Sequence, residues 1–567
     1  MFRLRHILTL LLSLMVAQLM GQTPQETTVN ASHRRYVTPT GAYSNRGTTW
    51  ADAKNNIQDA INDLVASNLL PGEVWVKEGT YRPTESTESG GSSLFASFKI
   101  PAGITVRGGF AGNEVTLNDR MVKYIDKDGN TVGTAKIGDT FSKAYTDKRF
   151  LHPTVLTGDL SSRQANFTWN DQSHRYATQF YGNAYHVVWF ATNGFYSNGR
   201  AKALRLNDAS WTATLEGVTI MRGYAYNSSL EGHPHNAYGG GAYMVDGSMM
   251  RDVRIECCEA SRNGGAIYMD GGGVCDHVFV TTSQAQGIGT SYGYGGGVCI
   301  ETNPAISDVA PVETGFRYGM IANCASRQGG GLAILTSRNT FTETYTNPVT
   351  GAQETRTRVP AIYEDQRNKA SAYASVVAHN VALIEGGGIY TNGGGAMSQM
   401  TIVGNACYGT ATIVNGVTQG RSGGLYACDK MTIHNSVLYG NYAMSNNGIQ
   451  YATSRTSISE DLKALMEYCR VENNDVTDWS STRKVQVLSG ANPAFVNPHV
   501  YGIARSTDAT DEFLMPFSYR VQKQSPMVNS GLFSANLDKE SLTTNRAIYP
   551  FDQLTNDLYG RPYQAHA

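Results

Sequence analysis

Charge is scarce in this chain, and neither sign dominates. Lys and Arg number 46 and Asp and Glu 47, so charged residues make up 16% of the 567, against about 25% in an average globular protein. There is no basic run. A chain so near neutrality has little with which to neutralise a phosphate backbone, which argues against nucleic acid as a partner. None of the eight cysteines forms a CxxC pair, so the usual ligand spacing of a structural zinc site is absent. Beyond the N-terminus, no second apolar segment reaches membrane-spanning length.

Glycine, in contrast, is abundant, with 60 residues, and much of it is clustered. Clusters stand at Gly239–Gly241, Gly264–Gly265, Gly295–Gly297, Gly329–Gly331, Gly386–Gly388 and Gly423–Gly424, each followed by a short apolar run. Between them recurs a second element with apolar residues at i and i+2: Val218 and Ile220, Val253 and Ile255, Met400 and Ile402, Met431 and Ile433. That spacing suits a strand with one buried face. A shift of 24 residues carries Gly240 onto Gly264, Asp246 onto Asp270 and Asp252 onto Asp276. Later shifts are longer, so the extra residues must leave the repeat as loops. Triple glycine breaks a helix, and the return of apolar residues in register excludes disordered low complexity. The pattern predicts a stacked solenoid in which neighbouring repeats bury one continuous interior.

Several segments carry a resemblance to known proteins. They are Tyr36-Val37 with Gly41 and Thr48–Ala53, then Ile57–Ile61, Gly72–Tyr81, Gly108–Gly112 and Thr154–Asp159, and near the end Asn492–Val496 and Ser525–Gly531. With the glycine repeats, they resemble the secreted right-handed parallel β-helix proteins of the pectin-lyase-like superfamily, more narrowly the large surface β-helix proteins of Bacteroidetes-type bacteria. Gly264-Gly265-Ala266-Ile267 is similar to the repeat motif of chlamydial polymorphic outer-membrane proteins. The resemblance implies an all-β fold: a single right-handed parallel β-helix with a short N-terminal capping helix over 57–65 and loop insertions. It does not imply one activity, because the fold carries lyases, hydrolases, adhesins and passive stalks alike.

The expected organisation is a signal peptide at 1–21 and an N-terminal segment and cap at 22–66. A β-helix follows at 67–455, with insertions near 113–150, 161–183 and 337–378. C-terminal coils and a flanking helix, opened by Ser459, occupy 456–567. Arg3, Arg5 and His6 ahead of the apolar run Ile7–Met20 have the order of a signal peptide, so export to the cell surface, the outer membrane or the medium is expected. Nothing after Ser530 resembles a C-terminal sorting domain. Cys275, Cys299, Cys324, Cys407 and Cys428 sit in or beside repeat elements, where Cys acts as a small apolar residue, so mostly free thiols are expected. Cys257 and Cys258 cannot both face inward on one strand.

The chemistry-bearing residues are few. Asp246, Asp270 and Asp276 with Arg251 or Arg254 are the best candidates for acid–base work on a sugar. Each Asp, however, stands beside glycine or at a corner, where it is an ordinary turn residue. The Asp-rich and Gly-His-Gly signatures associated with pectate lyases and polygalacturonases are absent. Glu231-Gly-His-Pro-His235 could offer metal ligands but reads better as a polar turn. No residue is therefore assigned as catalytic, cofactor-binding or metal-binding. The leading reading is a non-catalytic, adhesin-like surface protein that binds glycan or a host-surface or cell-surface partner, with its sites on the loops at 113–150 and 337–378. The alternatives are a polysaccharide lyase or glycosidase, for which alone calcium would matter, and a passive scaffold.

Overall fold

The computed structural model describes residues 29–86, 93–126, 129–139, 141–143, 147–161, 167–178, 182–191, 212–226, 234–287, 293–302, 314–336, 341–346, 353–358, 370–392, 395–409, 420, 422–428 and 431–443, with isolated strand segments between 453 and 521. Most of these residues belong to one parallel β-helix. A typical coil runs Ala242–Val245, Ser248–Arg251, Arg254–Glu256 and Glu259–Ala260, then turns at a glycine cluster into Ile267–Asp270 of the next coil. These four strands define four parallel sheets, here numbered first to fourth in that order. They hold nine, twelve, eleven and seven strands among the described residues. In each sheet, a strand pairs with the equivalent strand of the coils before and after it. The expected signal peptide, 1–21, lies outside the described residues.

The interior is built as the apolar spacing predicts. In the third sheet Ile220, Ile255, Val280, Ile321, Val377, Ile402 and Leu438 pair rung by rung, and none is more than 1% exposed. A single cluster of buried apolar residues runs from Val37 to Cys469. Met431 and Ile433 are buried as well, but in the second sheet rather than the third. The apolar i, i+2 spacing cannot tell one inward-facing sheet from another. The start of the stack is closed by the helix Ile57–Ala66. Asn56 caps it by accepting from the backbone N–H groups of Gln58 and Asp59, while Ile57, Ala60, Ile61 and Leu64 turn into the core.

Each coil turns through two corners of a single left-handed residue. Between the second and third sheets stand Asp252, His277, Tyr318, Ala374, Gln399 and Asn435, with φ from 47° to 55°. Between the third and fourth stand Arg222, Cys257, Thr282, Asn323 and His379, with φ from 49° to 61°. A side chain in this region costs roughly 1–2 kcal/mol. The corner N–H groups offset part of that cost by donating to the next rung: Asp252 to Asp276 O at 3.1 Å, His277 to Arg317 O at 3.0 Å, Gln399 to His434 O at 3.1 Å.

The glycine corners stack directly on one another. Gly240 N donates to Gly265 O (3.1 Å), Gly265 to Gly295 (3.2 Å), Gly296 to Gly329 (3.1 Å), Gly330 to Gly386 (3.1 Å) and Gly388 to Gly423 (2.9 Å). Gly264 needs its positive φ of 64°. At Gly265 the constraint is space, because an added Cβ would strike the carbonyl oxygens of Gly296 and Gln284.

The register between the coils that begin at Ala242 and Ile267 is 25 residues, not 24: Tyr243 pairs with Tyr268, Arg251 with Asp276 and Ile255 with Val280. Asp270 therefore stands opposite Val245 rather than Asp246. A one-residue slip moves a side chain to the other face of its strand. The equal spacing of Cys275 and Cys299 has no structural meaning either. Cys275 lies in the second sheet opposite Phe316, and Cys299 in the first opposite Tyr268.

The column just past the third sheet's far corner runs Cys258, Ser283, Cys324, Asn380, Asn405, Asn441. Its amides bond along the axis: Asn380 Nδ2 to Asn405 Oδ1 (3.0 Å), Asn405 Nδ2 to Asn441 Oδ1 (2.9 Å) and the Cys324 N–H to Asn380 Oδ1 (2.9 Å). All seven cysteines whose side chains are described are free. Six are buried and Cys257 is half-buried. Burial pushes the Cys258 and Cys324 thiols up to about 12, so both behave as small apolar groups.

The insertions form antiparallel pairings of their own. The first forms an antiparallel sheet of Met121–Ile125, Thr131–Lys136 and Asp147–Phe150. The second forms the hairpin Phe167–Asn170 and Arg175–Thr178. In the third, Phe341–Thr346 pairs with Gln353–Arg358, but Ala370–Tyr373 and Val376–Ala378 are rungs of the coil. Of the expected insertion 337–378, these two strands thus belong to the stack. Leu465 and Met466, expected in the flanking helix, lie in a strand beside Thr432 and Ile433; residues 459–464 of that stretch lie outside the described residues.

Replacing Ile255 by Asp would put a charge between Ile220 and Val280 with nothing to pair it. The loss should be several kcal/mol, seen as a failure to purify folded protein or a drop in Tm of roughly 3–6 °C. Parent-like melting of I255D would overturn the inward assignment.

Candidate functional site

A cleft of about 310 Å³ opens between the first insertion and the outer face of the third sheet. Strand alternation determines its floor. Because Ile220, Ile255 and Val280 point inward, Thr219, Met221, Arg254, Glu256 and Phe279 point outward. The corner residues Asp252 and His277 form one rim, and Val122, Lys123, Ile137, Lys148, Arg149 and Phe150 form the roof.

A buried ion triad fastens the roof to the floor. Arg254 Nη2 donates to Asp147 Oδ1 and to the Lys148 carbonyl (3.1 Å), while Arg149 Nε donates to Asp147 Oδ2 (2.6 Å). Burial alone would raise the Asp147 pKa, but Arg254 and Arg149 outweigh it and hold the carboxyl below its ordinary range. The Arg254 guanidinium also lies 4.7 Å from the centre of the Phe279 ring. Phe150 packs on Gly109, where any Cβ would strike the ring.

Below the rim, Asp276 accepts from His277 Nδ1 (2.5 Å) and from Arg317 Nε and Nη2 (both 3.1 Å). Burial works against ionisation, but the His277 hydrogen bond and the Arg317 charge dominate, and the carboxyl is lowered to about 2. Arg317 Nη1 also reaches the Tyr373 hydroxyl (3.0 Å). Asp252, Lys123 and Lys148 are the cleft's uncommitted charges: among the described residues their side chains have no hydrogen bond or ion pair.

The candidates singled out from the sequence are scattered. Arg254 lines the cleft, and Asp276 reaches it only through His277. Arg251 and Asp276 belong to a ladder of charges on the outer face of the second sheet, where Arg107, Glu216, Arg251, Asp276 and Arg317 succeed one another in register. Glu216 in this ladder accepts from both Arg107 and Arg120. Burial pushes its carboxyl up, yet the two guanidinium groups hold it low. Alternation of sign explains these charges without catalysis.

Asp246 and Asp270 are elsewhere and buried, and Asp270 accepts from the Tyr243 hydroxyl (2.5 Å). Of the Glu231–His235 turn, only Pro234 and His235 are described. His235 packs in the aromatic cluster of Trp189, His186 and Tyr243. Among the described residues no group of three or more His, Cys, Asp or Glu could hold a metal. Sequence reasoning missed Glu256, His277, Lys123 and Lys148. The first could have been found as the outward residue one step beyond Ile255.

A second buried acid lies under the 167–178 hairpin. Glu259 accepts from Gln284 Nε2 (3.1 Å) and from Gln286 Nε2. Gln284 also grips the backbone of Tyr176, accepting from its N–H (2.9 Å) and donating to its carbonyl (3.0 Å). Burial pushes Glu259 up to about 7, against 4.5 ordinarily. The folded protein therefore holds this proton more tightly than the unfolded chain. The resulting stabilisation is full below the unfolded value near 4.5 and is lost as pH rises through 7, by an amount on the order of 3 kcal/mol. Glu259→Gln should melt higher than the parent at pH 8 and alike at pH 4. A parent-minus-variant difference in Tm that does not change with pH would show that Glu259 titrates normally.

No family model matches the sequence, and no curated protein matches it. Among solved structures, the chain is similar to pectate lyase Pel9A, at 11% identity and a TM-score of 0.39 over 90% of this chain and 94% of that one. It is similar to XylC in complex with xylose, at 11% identity and a TM-score of 0.30 over 82% and 87%. It is also similar to PfbA, a surface adhesin of Streptococcus pneumoniae, at 9% identity and a TM-score of 0.31 over 76% of each. Scores this low add nothing to the sheet topology. By that topology the chain is a parallel β-helix with a roofed cleft on its third sheet.

Proposed function

We propose that this protein is exported, sits at the cell surface and binds glycan in the cleft between its first insertion and the third sheet, without cleaving it. The observation that carries the reading is the lining. Phe150 and Phe279 contribute apolar surface, and Asp252, Lys123 and Lys148 offer acceptor and donor groups with no hydrogen bond or ion pair among the described residues. Flat apolar faces ringed by directional polar groups are what a sugar presents in return. Binding of this kind needs no cofactor.

The carboxylates favour binding over cleavage. Asp252 stands at the left-handed corner before the strand Arg254–Glu256 and Glu256 at that strand's far end, whereas a glycosidase needs two carboxyls facing each other across one sugar. Asp147 is sealed by two arginines and Asp276 by Arg317 and His277. The one observation favouring a lyase or glycosidase, the alternative in which calcium would have a place, is the Asp276–His277 pair at the rim, which could hold a base.

The test is titration calorimetry of the purified protein against a panel of polysaccharides, with product assays run in parallel. Binding should weaken at least tenfold in Asp252→Ala combined with Lys148→Ala, and no reducing ends or unsaturated products should appear. Turnover, with or without calcium, that disappears in His277→Ala would establish the enzymatic alternative instead.

A further inference from the structure

We infer that the 167–178 hairpin is a proton-operated latch, docked on the fourth sheet while Glu259 is neutral and released when Glu259 ionises. The inference is independent of the glycan reading, because the hairpin and Glu259 share no residue with the cleft.

The hairpin is built to leave without breaking a rung. Its strands, Phe167–Asn170 and Arg175–Thr178, pair only with each other. They form an excursion between the coil strands Thr154–Thr157 and Val188–Phe190. Side chains, not a backbone ladder, hold it down. The Tyr176 N–H donates to Gln284 Oε1 (2.9 Å), and the Tyr176 carbonyl accepts from Gln284 Nε2 (3.0 Å). The Tyr176 hydroxyl donates to the Asn323 carbonyl. At the tip, His174 stacks on Tyr408 with ring centres 3.8 Å apart. Contacts this few place the hairpin among the segments that open locally, ahead of the coil.

Glu259 lies under this attachment, one rung before Gln284 and in register with it. It is 0% exposed. Among the described residues it forms no ion pair, unlike Asp147, Glu216 and Asp276, which each meet an arginine. Its oxygens face the neutral amides of Gln284 and Gln286. From the hairpin, Thr178 and Arg175 face it and favour its charge. Tyr224 stands opposite it on the preceding rung. Arg327, on the strand Ala325–Gln328, acts on Arg175: burial and the Arg327 charge lower the Arg175 pKa, and Glu259 raises it. Burial prevails at Glu259 and pushes it up to about 7. A carboxylate without a paired cation is costly to keep dry, and lifting the hairpin returns it to water.

The docked state therefore holds the Glu259 proton more tightly than the open one. Docking is at full strength below the ordinary value of 4.5 and weakens as pH rises through 7. His174 acts in the opposite direction. Burial lowers its pKa, against the attraction of Asp171, so its protonation loosens the tip on the acid side. Alkaline release thus belongs to Glu259. It uncovers the Glu259 carboxylate, the Gln284 amide and the Asn323 carbonyl, a polar surface closed in acid and open in alkali.

The experiment is hydrogen exchange of the full chain from pH 5.5 to 8.5, each rate being divided by the unfolded-chain rate at that pH. Protection over 172–178 should fall by about tenfold or more across this range, with its midpoint near 7. Protection over 254–256 and 279–281, in the coil, should not fall with it. Glu259→Gln should abolish the fall. Arg175→Gln removes a cation that favours the carboxylate, so the midpoint should move to higher pH. His174→Asn should leave the alkaline fall in place. The parent and Arg175→Gln decide the matter even where Glu259→Gln fails to fold. Equal hairpin protection at both ends of the range, or a fall that persists in Glu259→Gln, would overturn the latch. So would an unmoved midpoint in Arg175→Gln, or a fall that vanishes in His174→Asn. Loss of protection at 254–256 and 279–281 together with the hairpin would show general unfolding in place of a latch.

Discussion

The structure depends on one constraint: each rung must hydrogen-bond in register to the rung above and below. A coil by itself holds too little apolar surface to fold, and its strands acquire partners only by stacking. That requirement explains why non-glycine residues sit in left-handed corners. Asp252, His277, Tyr318 and Gln399 accept backbone strain because a one-residue corner keeps the third sheet in step with the second, and their N–H groups then join the axial ladder. It also explains the division of labour at the glycine corners. Gly264 supplies a conformation, whereas Gly265 supplies room for the carbonyl of the next rung. The Asn380, Asn405 and Asn441 column applies the same logic to side chains, satisfying buried amides along the axis where no water is needed.

With the register fixed, extra sequence can leave the stack only between strands. The first insertion departs after Phe110 and returns at Thr154, the strand that follows in the third sheet. It therefore re-enters beside the outer face it covers. Its roof is positioned by Asp147, which draws Arg149 from the roof and Arg254 from the floor to a single carboxylate. A buried triad of this sort adds little net stability, because desolvation consumes much of the attraction. Its effect is geometric: it sets the spacing of roof and floor, and so the width of the cleft. The 167–178 hairpin is held differently, by an amide from the coil that imitates a strand neighbour.

Much of the fold was legible in the sequence. The spacing of Val253 and Ile255, repeated at Val218 and Ile220, marks inward positions because period two has one physical cause in a sheet. The capping helix was legible through the resemblance carried by Ile57–Ile61. The register was not. The second cluster has Ala266 where the first has Gly241, so aligning Gly240 with Gly264 looked as good as aligning Gly239 with Gly264. Only the second alignment matches backbone conformation, with φ of 65° and 64°. The cleft was least legible of all. Its floor comes from residues near 219, 254 and 279 and its roof from residues near 122 and 149, and no spacing rule joins segments a hundred residues apart. Asp246 and Asp270 drew notice as carboxylates, yet they are buried at the end of first-sheet strands, away from the cleft.

The Asp276–His277 pair shows why one set of residues can be read as catalytic or as binding. A carboxyl lowered to about 2 keeps its charge throughout the physiological range. It cannot serve as a proton donor there. What it does is accept from Nδ1 of His277, and this holds the imidazole ring in one orientation. A general base would need a matched acid or a stabiliser of developing charge held at short range. The arginines beside it are committed: Arg317 to Asp276, and Arg254 to Asp147 and the Phe279 ring. A ring of fixed orientation beside Asp252 and Lys148, whose side chains have no hydrogen bond or ion pair among the described residues, instead supports the proposal that the rim orders the hydroxyls of a bound sugar.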